Sequence, residues 1–455
     1  QKRLELPDDA VLEFITDVEG NWEYFQALIE RSAVLTWCPA SDDGDLSLEE
    51  HGYLVFGGDA PDKGPGDIRI TRALVRLQSK HPDRVFLLAG NRDVNKLRLT
   101  AELAPGQMPD IDPVSYLDAV SWQGGKQQFA EYLEEHRLER SAFSAFRWTL
   151  EKTMGGPTFV ATRRKELELL GRGTADQDVL NSFVELVDPA AAENWTLQYL
   201  RAAVIMLVIG DCLFVHGAVR SRGLLLVPAE ETRGGVMSKQ PPPLRLPEST
   251  PLEVWAAELN AWKTRQLRLF EAFPQFVSLG DRERWRGGEP LMLPSLAGCH
   301  VMTDSFLARG NHTQLDADVG SYLARNGIRR VFAGHAPQGQ SPGVARNPSF
   351  GVVVLVADTS FSDVSADKTQ NPANTRGVAV SVVTITRETA SVAGILADGT
   401  FHGFVLHVDE TRDTPADALV GRRFSDDSWG RTVISGNIQK FRGEGFVLHH
   451  VLCDP

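Results

Sequence analysis

A chain of 455 residues with 42% hydrophobic content can bury a substantial core, either as one large domain carrying insertions or as two to three modules. Its 47 basic and 60 acidic residues give a formal net charge of −13, which argues against general nucleic-acid binding and against an anionic membrane surface, while local basic pockets stay open. Cys38, Cys212, Cys299 and Cys453 are widely separated and form no C-x-x-C pair, so neither a zinc knuckle nor a disulfide framework is indicated, and an intracellular, cytoplasmic setting is expected. The longest apolar stretch, Ala202 to Ile209, is too short to span a bilayer. The first ten residues carry no apolar signal core, although a start on Gln1 leaves a removed leader open.

In chain order, Val11 to Asp17 reads as a strand, and Trp22 to Leu35 as a helix after an Asn21 cap, with Phe25, Leu28, Ile29 and Ser32 at helical spacing. Tyr53 to Phe56 is a second strand running into Gly57-Gly58-Asp59. The segment Asp67 to Ser79 then places Ile70, Leu74 and Leu77 on one helical face, and Val85 to Ala89 is a third strand before Gly90-Asn91. The first hundred residues are therefore β-α-β-α-β, an arrangement that brings the loops after neighbouring strands, with Asp17, Asp59 and Asn91, to one rim. Residues 101–203 read as a helical, cap-like insertion with units Tyr116 to Trp122, Gln127 to Phe143 and Val179 to Val187. Strands Leu213 to Val215 and Arg330 to Ala333 run into His216 and His335. Between them lies a second insertion, residues 228–298, with a proline-rich linker (Pro241-Pro242-Pro243, Pro247) and a helix from Pro251 to Phe273. Gly351 to Ala357 and Val378 to Ile385 are strands expected to complete a second sheet, which leaves 11–100, 204–227 and 299–385 as the core. Residues 386–455 form a β-rich extension in which Gly403 to His407 resembles Gly445 to His449.

Five polar clusters close these apolar runs: Thr16-Asp17-Val18-Glu19-Gly20-Asn21, Gly58-Asp59-Ala60-Pro61-Asp62-Lys63-Gly64, Gly90-Asn91-Arg92-Asp93, His216-Gly217-Ala218 and Gly334-His335-Ala336-Pro337. Asp, Asp, Asn, His and His are the oxygen and nitrogen donors that a pair of divalent cations takes, and a shared carboxylate is a common bridge between two metals. In this order the clusters resemble the calcineurin-like metallophosphoesterases, in particular the branch of serine/threonine phosphoprotein phosphatases and diadenosine-tetraphosphatase-like enzymes. That family shows Asp-x-His, Gly-Asp-x-x-Asp-Arg-Gly, Gly-Asn-His-Asp/Glu, a His-Gly element and a Gly-His element. The resemblance spans roughly Leu12 to Ile385 outside the two insertions.

The resemblance implies an α/β fold, a two-sheet sandwich flanked by helices. It also implies two divalent cations, Mn²⁺ or Mg²⁺, with Asp17 on the first, Asp59 bridging, and Asn91, His216 and His335 on the second. The implied reaction is attack of a metal-bound water on a phosphate ester or anhydride, the substrate being a phosphoprotein, a nucleotide, a dinucleoside polyphosphate or another phosphorylated small molecule. Three positions depart from the family pattern. Glu19 replaces the first-metal histidine and either donates a hard oxygen or only bonds a nearby backbone group or basic side chain, leaving that metal weak or absent. Arg92 replaces the histidine that protonates the leaving oxygen beside an acid matched by Asp93. It cannot deliver a proton near neutral pH, and it either clamps phosphate or pairs with Asp93 or Asp62. Lys63 replaces an arginine, and Arg220 is a further phosphate contact by position. His312, in Gly310-Asn311-His312, reads as a loop residue, and Asp358 as a polar neighbour of the rim. Two functions follow: an active metal-dependent phosphoesterase favouring anhydrides and activated esters, or a catalytically silent relative serving as a binding or assembly module for a protein partner.

Overall fold

The computed structural model of the chain describes residues 3–38, 44–103, 129–230, 241–280, 283–359, 378–444 and 447–455. The parallel core predicted for the first hundred residues is present as β1 (Val11–Ile15), β2 (Gly52–Phe56) and β3 (Val85–Leu87), with α1 (Trp22–Ile29) and α2 (Asp67–Lys80) between them and α3 (Asn91–Asn95) after β3. The later strands are β4 (Met206–Ile209), β5 (Cys212–Val215), β6 (Arg330–Ala333), β7 (Gly343–Asn347), β8 (Val352–Val356), β9 (Val380–Ile385), β10 (Thr389–Ile395), β11 (Phe401–His407), β12 (Trp429–Ile434), β13 (Asn437–Glu444) and β14 (Val447–Cys453). They assemble into a nine-stranded sheet, in order β14-β13-β12-β11-β10-β9-β1-β2-β3, and a five-stranded sheet, in order β7-β8-β6-β5-β4. The architecture is an α/β two-sheet sandwich with helices outside.

Strand alternation explains the layering. On β1, Leu12 and Phe14 face the second sheet, while Ile15 joins the cluster under the helices. On β6, Phe332 faces inward while Val331 and Ala333 face the helical side. Between the sheets, Phe214 stacks on Phe332 with ring centroids 5.1 Å apart, and Phe14 lies 5.7 Å from Phe214. Glu13, on the helical side of β1, is fully buried and accepts hydrogen bonds from Ser32 (2.5 Å) and the Ala33 amide (2.6 Å).

That carboxylate also accounts for the first departure from the sequence reading. The helix expected to reach Leu35 stops at Ile29, because Ser32 turns inward to Glu13 and accepts the Leu35 amide at 2.8 Å, and Leu35–Trp37 pairs with Leu46–Leu48 as a hairpin. The helix expected over 127–143 is two pieces, Phe129–His136 and Ala142–Trp148. Arg137 adopts φ 52° at the break, and Ser141 caps the second piece by accepting the Ser144 amide. The Tyr116 to Trp122 unit and the start of the Gly445 to His449 segment lie outside the described residues.

The pairing of β9 differs as well. It does not complete the second sheet but runs antiparallel to β1 in the first, with Leu12 opposite Ile385 and Phe14 opposite Val383. β10 to β14 then continue the same sheet, each hydrogen-bonded to the strand before it. His312 is no loop residue. It lies in a two-residue strand paired with Leu307–Ala308, is 4% exposed, and sits against the rings of Trp429 and Phe441.

The first insertion builds its own apolar cluster from Phe129, Tyr132, Phe146, Phe159 and Phe183, packed on Ile68 of α2 and on Leu99. Polar contacts fasten it to the start of α2, where Glu166 accepts the Ile68 amide at 2.9 Å and Arg163 pairs with Asp67 at 2.7 Å. From the second insertion, the helix Leu252–Ala272 buries Trp255, Leu259, Trp262 and Phe270 in the main core. Among the described residues no helix is long and apolar enough to cross a membrane.

Candidate metal centre

Five turns at the carboxyl ends of β1, β2, β3, β5 and β6 carry Asp17, Asp59, Asn91, His216 and His335, and the sandwich brings the two sheets' ends together. Four residues in these turns hold left-handed backbone conformations unusual for side chains with a Cβ: Asp17 (φ 51°), Glu19 (φ 50°), Asp59 (φ 54°) and His335 (φ 66°). Each costs on the order of 1–3 kcal/mol and persists only where the surroundings impose it. Here backbone bonds impose it: Asp17 N–H to Gly58 O (3.0 Å), Glu19 N–H to Asp59 O (3.0 Å) and Gly334 N–H to His216 O (2.9 Å). Close approach also requires Gly90 and Gly334, since a Cβ would stand 2.1 Å from Asp59 Oδ1 at the first and 2.0 Å from Asp17 Oδ2 at the second.

The ligand atoms of Asp59, His216 and His335 lie within 4.8 Å of one another. His216 Nδ1 is 2.8 Å from the Gly57 carbonyl, and His335 Nε2 is 3.1 Å from the Thr303 carbonyl. A carbonyl only accepts, so these two nitrogens carry the protons, and the opposite nitrogens turn toward the cluster. His216 Nε2 stands 3.1 Å from Asn91 Oδ1 and 3.4 Å from Asp59 Oδ2, while His335 Nδ1 is 2.8 Å from the same Asn91 oxygen. Asp59 Oδ2, Asn91 Oδ1, His216 Nε2 and His335 Nδ1 thus converge, and either a second proton on His216 or a bound cation satisfies them. One carboxylate, one amide oxygen and two imidazoles suit a divalent cation.

Without a cation His216 holds a second proton, which a bound cation would displace. Burial alone would lower the His216 pKa, but the Asp59 charge and hydrogen bond, with Asp17 behind them, push it up to about 10. Burial acts against Asp59 ionisation, yet His216 and Arg92 hold its carboxyl well below the usual range. Burial and the neighbouring His216 draw His335 down to about 4.

The residues expected around a first metal are occupied differently. Both Asp17 oxygens lie 3.0 Å from the His335 backbone N–H, and Oδ2 also accepts from Thr16 Oγ1 at 2.5 Å. Glu19 pairs with Lys63 Nζ and with Arg92 Nε, each at 3.0 Å. Arg92 Nη1 contacts Asp62 Oδ2, Lys96 Nζ is 2.6 Å from the other Asp62 oxygen, and Arg92 Nε lies 3.6 Å from Asp59 Oδ2. Glu19 and Asp62 do not fit a cation, because both already face ammonium and guanidinium groups, while Asp17 faces an amide and a hydroxyl. Glu19 thus partners basic side chains, and Arg92 partners both Glu19 and Asp62.

Asp93 is fully buried and accepts the backbone N–H groups of Asp59 (3.0 Å), Ala60 (3.0 Å) and Gly90 (2.7 Å), so it ties two of the turns together. Burial, followed by the Asp59 charge, pushes its pKa up to about 7. Arg220 is engaged with Thr313 Oγ1 at 2.8 Å and Asp316 at 3.4 Å. Asp358 is buried, and its carbonyl accepts the Gln338 amide at 2.7 Å. Sequence reasoning missed Lys96 and the Thr303 carbonyl. Lys96 sits one helical turn after Arg92, a spacing that could have drawn attention to it, whereas a backbone carbonyl leaves no signature in residue type. A cleft of about 820 Å³ lies beside Leu167, Asn181 and Glu185, and none of the residues around Asp59 lines it.

The fold and the site together define an α/β two-sheet sandwich with a candidate cation site at the meeting of its strand ends. No protein-family model matches the chain, and no curated protein matches it by sequence. Solved structures similar to it include the cold-active protein-tyrosine phosphatase of a psychrophilic Shewanella species, at 15% identity over 88% of this chain and 82% of that one, with a TM-score of 0.42. A protein serine/threonine phosphatase from Saccharomyces cerevisiae with similarity to human phosphatase PP5 aligns at 12% identity over 85% and 77%, with a TM-score of 0.35. Likeness of this degree carries no weight for the site or its chemistry.

Proposed function

We propose that the chain is a metal-dependent phosphoesterase acting on phosphate anhydrides or activated phosphate esters of nucleotides, other phosphorylated small molecules or phosphoproteins. The observation that carries this reading is the convergence of Asp59, Asn91, His216 and His335 on one point, with Asp59 and His335 held in left-handed conformations. These four residues would hold the divalent cation, Mn²⁺ or Mg²⁺, which when bound supplies Lewis acidity toward a phosphoryl oxygen. The Gly57 and Thr303 carbonyls fix the two imidazoles in the tautomers that cation binding needs, and Asp93 fixes the Asp59 and Asn91 turns against one another. Arg92 adds a permanent positive charge beside Asp59 but has no proton to give. The leaving group therefore departs unprotonated, which favours a phosphate or an activated aryl oxide and disfavours an alkoxide; a general acid is otherwise worth about 10²–10⁴-fold in rate.

The test is hydrolysis of a dinucleoside polyphosphate, an aryl phosphate and an alkyl phosphomonoester in Mn²⁺, with calorimetric Mn²⁺ binding in parallel. The expected result is cation-dependent turnover of the first two, at least 100-fold above the alkyl ester, with turnover and binding both lost in Asp59→Asn. Cation binding without turnover of any of the three would favour the second reading, a module that retains the fold and binds a cation or a protein partner. The pairing of Glu19 with Lys63 and Arg92 is the observation on that side.

A further inference from the structure

We infer that this centre takes one divalent cation rather than two, and that the Arg92 guanidinium stands permanently where a second would bind. The inference rests on the cation site proposed above and starts from Asp59. Its Oδ2 lies 3.4 Å from His216 Nε2, within the four-donor cluster, and 3.6 Å from Arg92 Nε. A carboxylate oxygen that would bridge two ions instead lies between a cation site and a fixed guanidinium.

The surroundings hold the guanidinium there. Two carboxylates, Glu19 and Asp62, meet three basic side chains, Lys63, Arg92 and Lys96, so both carboxylates have cationic partners without a metal. Arg92, Asp62 and Glu19 are each no more than 8% exposed, which makes removal of any partner expensive. The network extends into the insertion: the Asp62 amide donates to Asp67 at 2.9 Å, and Asp67 pairs with Arg163, itself 3.4 Å from Glu166. Asp17, the remaining oxygen donor on this side, accepts the His335 amide and the Thr16 hydroxyl. A divalent ion entering here would have to displace a buried guanidinium from two carboxylates and would meet two further cations.

The arrangement replaces a dissociable charge with a covalently tethered one. Arginine stays charged at any pH the fold tolerates, and its planar fork spans Glu19 and Asp62 at once, which a lysine at this position could not do. Metal dependence then resides in the Asp59, Asn91, His216 and His335 site alone.

The test is Mn²⁺ stoichiometry by elemental analysis after loading and desalting, together with the electron paramagnetic resonance spectrum of the loaded wild-type chain. One ion per chain with the hyperfine pattern of isolated Mn²⁺ is expected. Two ions with an exchange-coupled spectrum would overturn the inference and leave the proposed function standing. No bound ion would remove the cation site itself, and both readings with it. Arg92→Gln assigns the cause: Lys63 and Lys96 still partner Glu19 and Asp62, so no carboxylate is stranded, and uptake of a second ion is expected. If this variant folds and stays at one ion, the guanidinium is not what closes the position.

Discussion

His312 shows how the environment, and not the residue type, decides what a side chain does. The sequence presents it in Gly310-Asn311-His312, close in form to a ligand-bearing turn. In the fold it is packed between Trp429 and Phe441 with neither ring nitrogen hydrogen-bonded, and burial, then Arg431, pulls its pKa from 6.5 to about 3. Between those two values the unfolded chain binds the proton that the folded one refuses, so stability falls as pH drops through 6.5 and the penalty stops growing near 3. Relative to His312→Leu, the wild type is expected to lose about 2 kcal/mol between pH 7 and pH 5. Urea unfolding of both proteins at the two pH values measures this directly; parallel pH dependence would show that the ring takes up its proton in the native state. The same lesson applies to Arg92, whose type suggests phosphate and whose partners are Glu19 and Asp62.

The helical insertion is joined to the sandwich by ion pairs as well as by apolar packing. Arg163 is 2% exposed and lies between Asp67 at the start of α2 and Glu166 on its own helix, with its guanidinium 4.0 Å from the centre of the Phe183 ring. Burial pushes both carboxyl groups upward in pKa, and Arg163 opposes the shift by favouring their charged forms. Arg163→Met retains much of the packing but takes from Asp67 its ion-pair partner and leaves Glu166 with Arg69 alone at 3.8 Å, which is expected to cost roughly 3–5 kcal/mol. Chemical denaturation followed by tryptophan fluorescence would report it, and a loss below about 1 kcal/mol would mean that the insertion is held by its apolar face alone. Helices were legible here from their period, but their breaks were not. The stop at Ile29 depends on Ser32 reaching Glu13 on another element, and the break at Arg137 on a single left-handed residue.

At the scale of the molecule, β10 to β14 are structural members of the first sheet. Val392, Phe404, Leu406 and Ile438 join the cluster between the sheets, and Arg431 on β12 donates to Ser341 Oγ at 3.0 Å. His402 sits between Ser381 (3.0 Å) on β9 and Thr432 (2.9 Å) on β12, joining strands within the sheet. A chain ending at Ile385 would leave β9 as an unpaired edge and uncover part of the inter-sheet core. It is expected to aggregate rather than unfold cooperatively. A monomeric truncated protein with a sharp thermal transition, observed by light scattering and calorimetry, would show that the extension is dispensable.

The sequence by itself determined the β-α-β-α-β opening, the strands before His216 and His335, and the five polar turns that close them, because alternation and helical period are local properties. It also limited Arg92 to roles that involve no proton transfer. Only the tertiary structure decided that β9 pairs with β1, that Asn91 bridges two imidazoles from the other sheet, and that Glu19 and Asp62 spend their charge on Lys63, Arg92 and Lys96. A local pattern specifies which face of an element is buried, whereas the partner across that face is set by packing between segments hundreds of residues apart. At a centre assembled from five such segments, that partner decides whether a carboxylate is left to meet a metal.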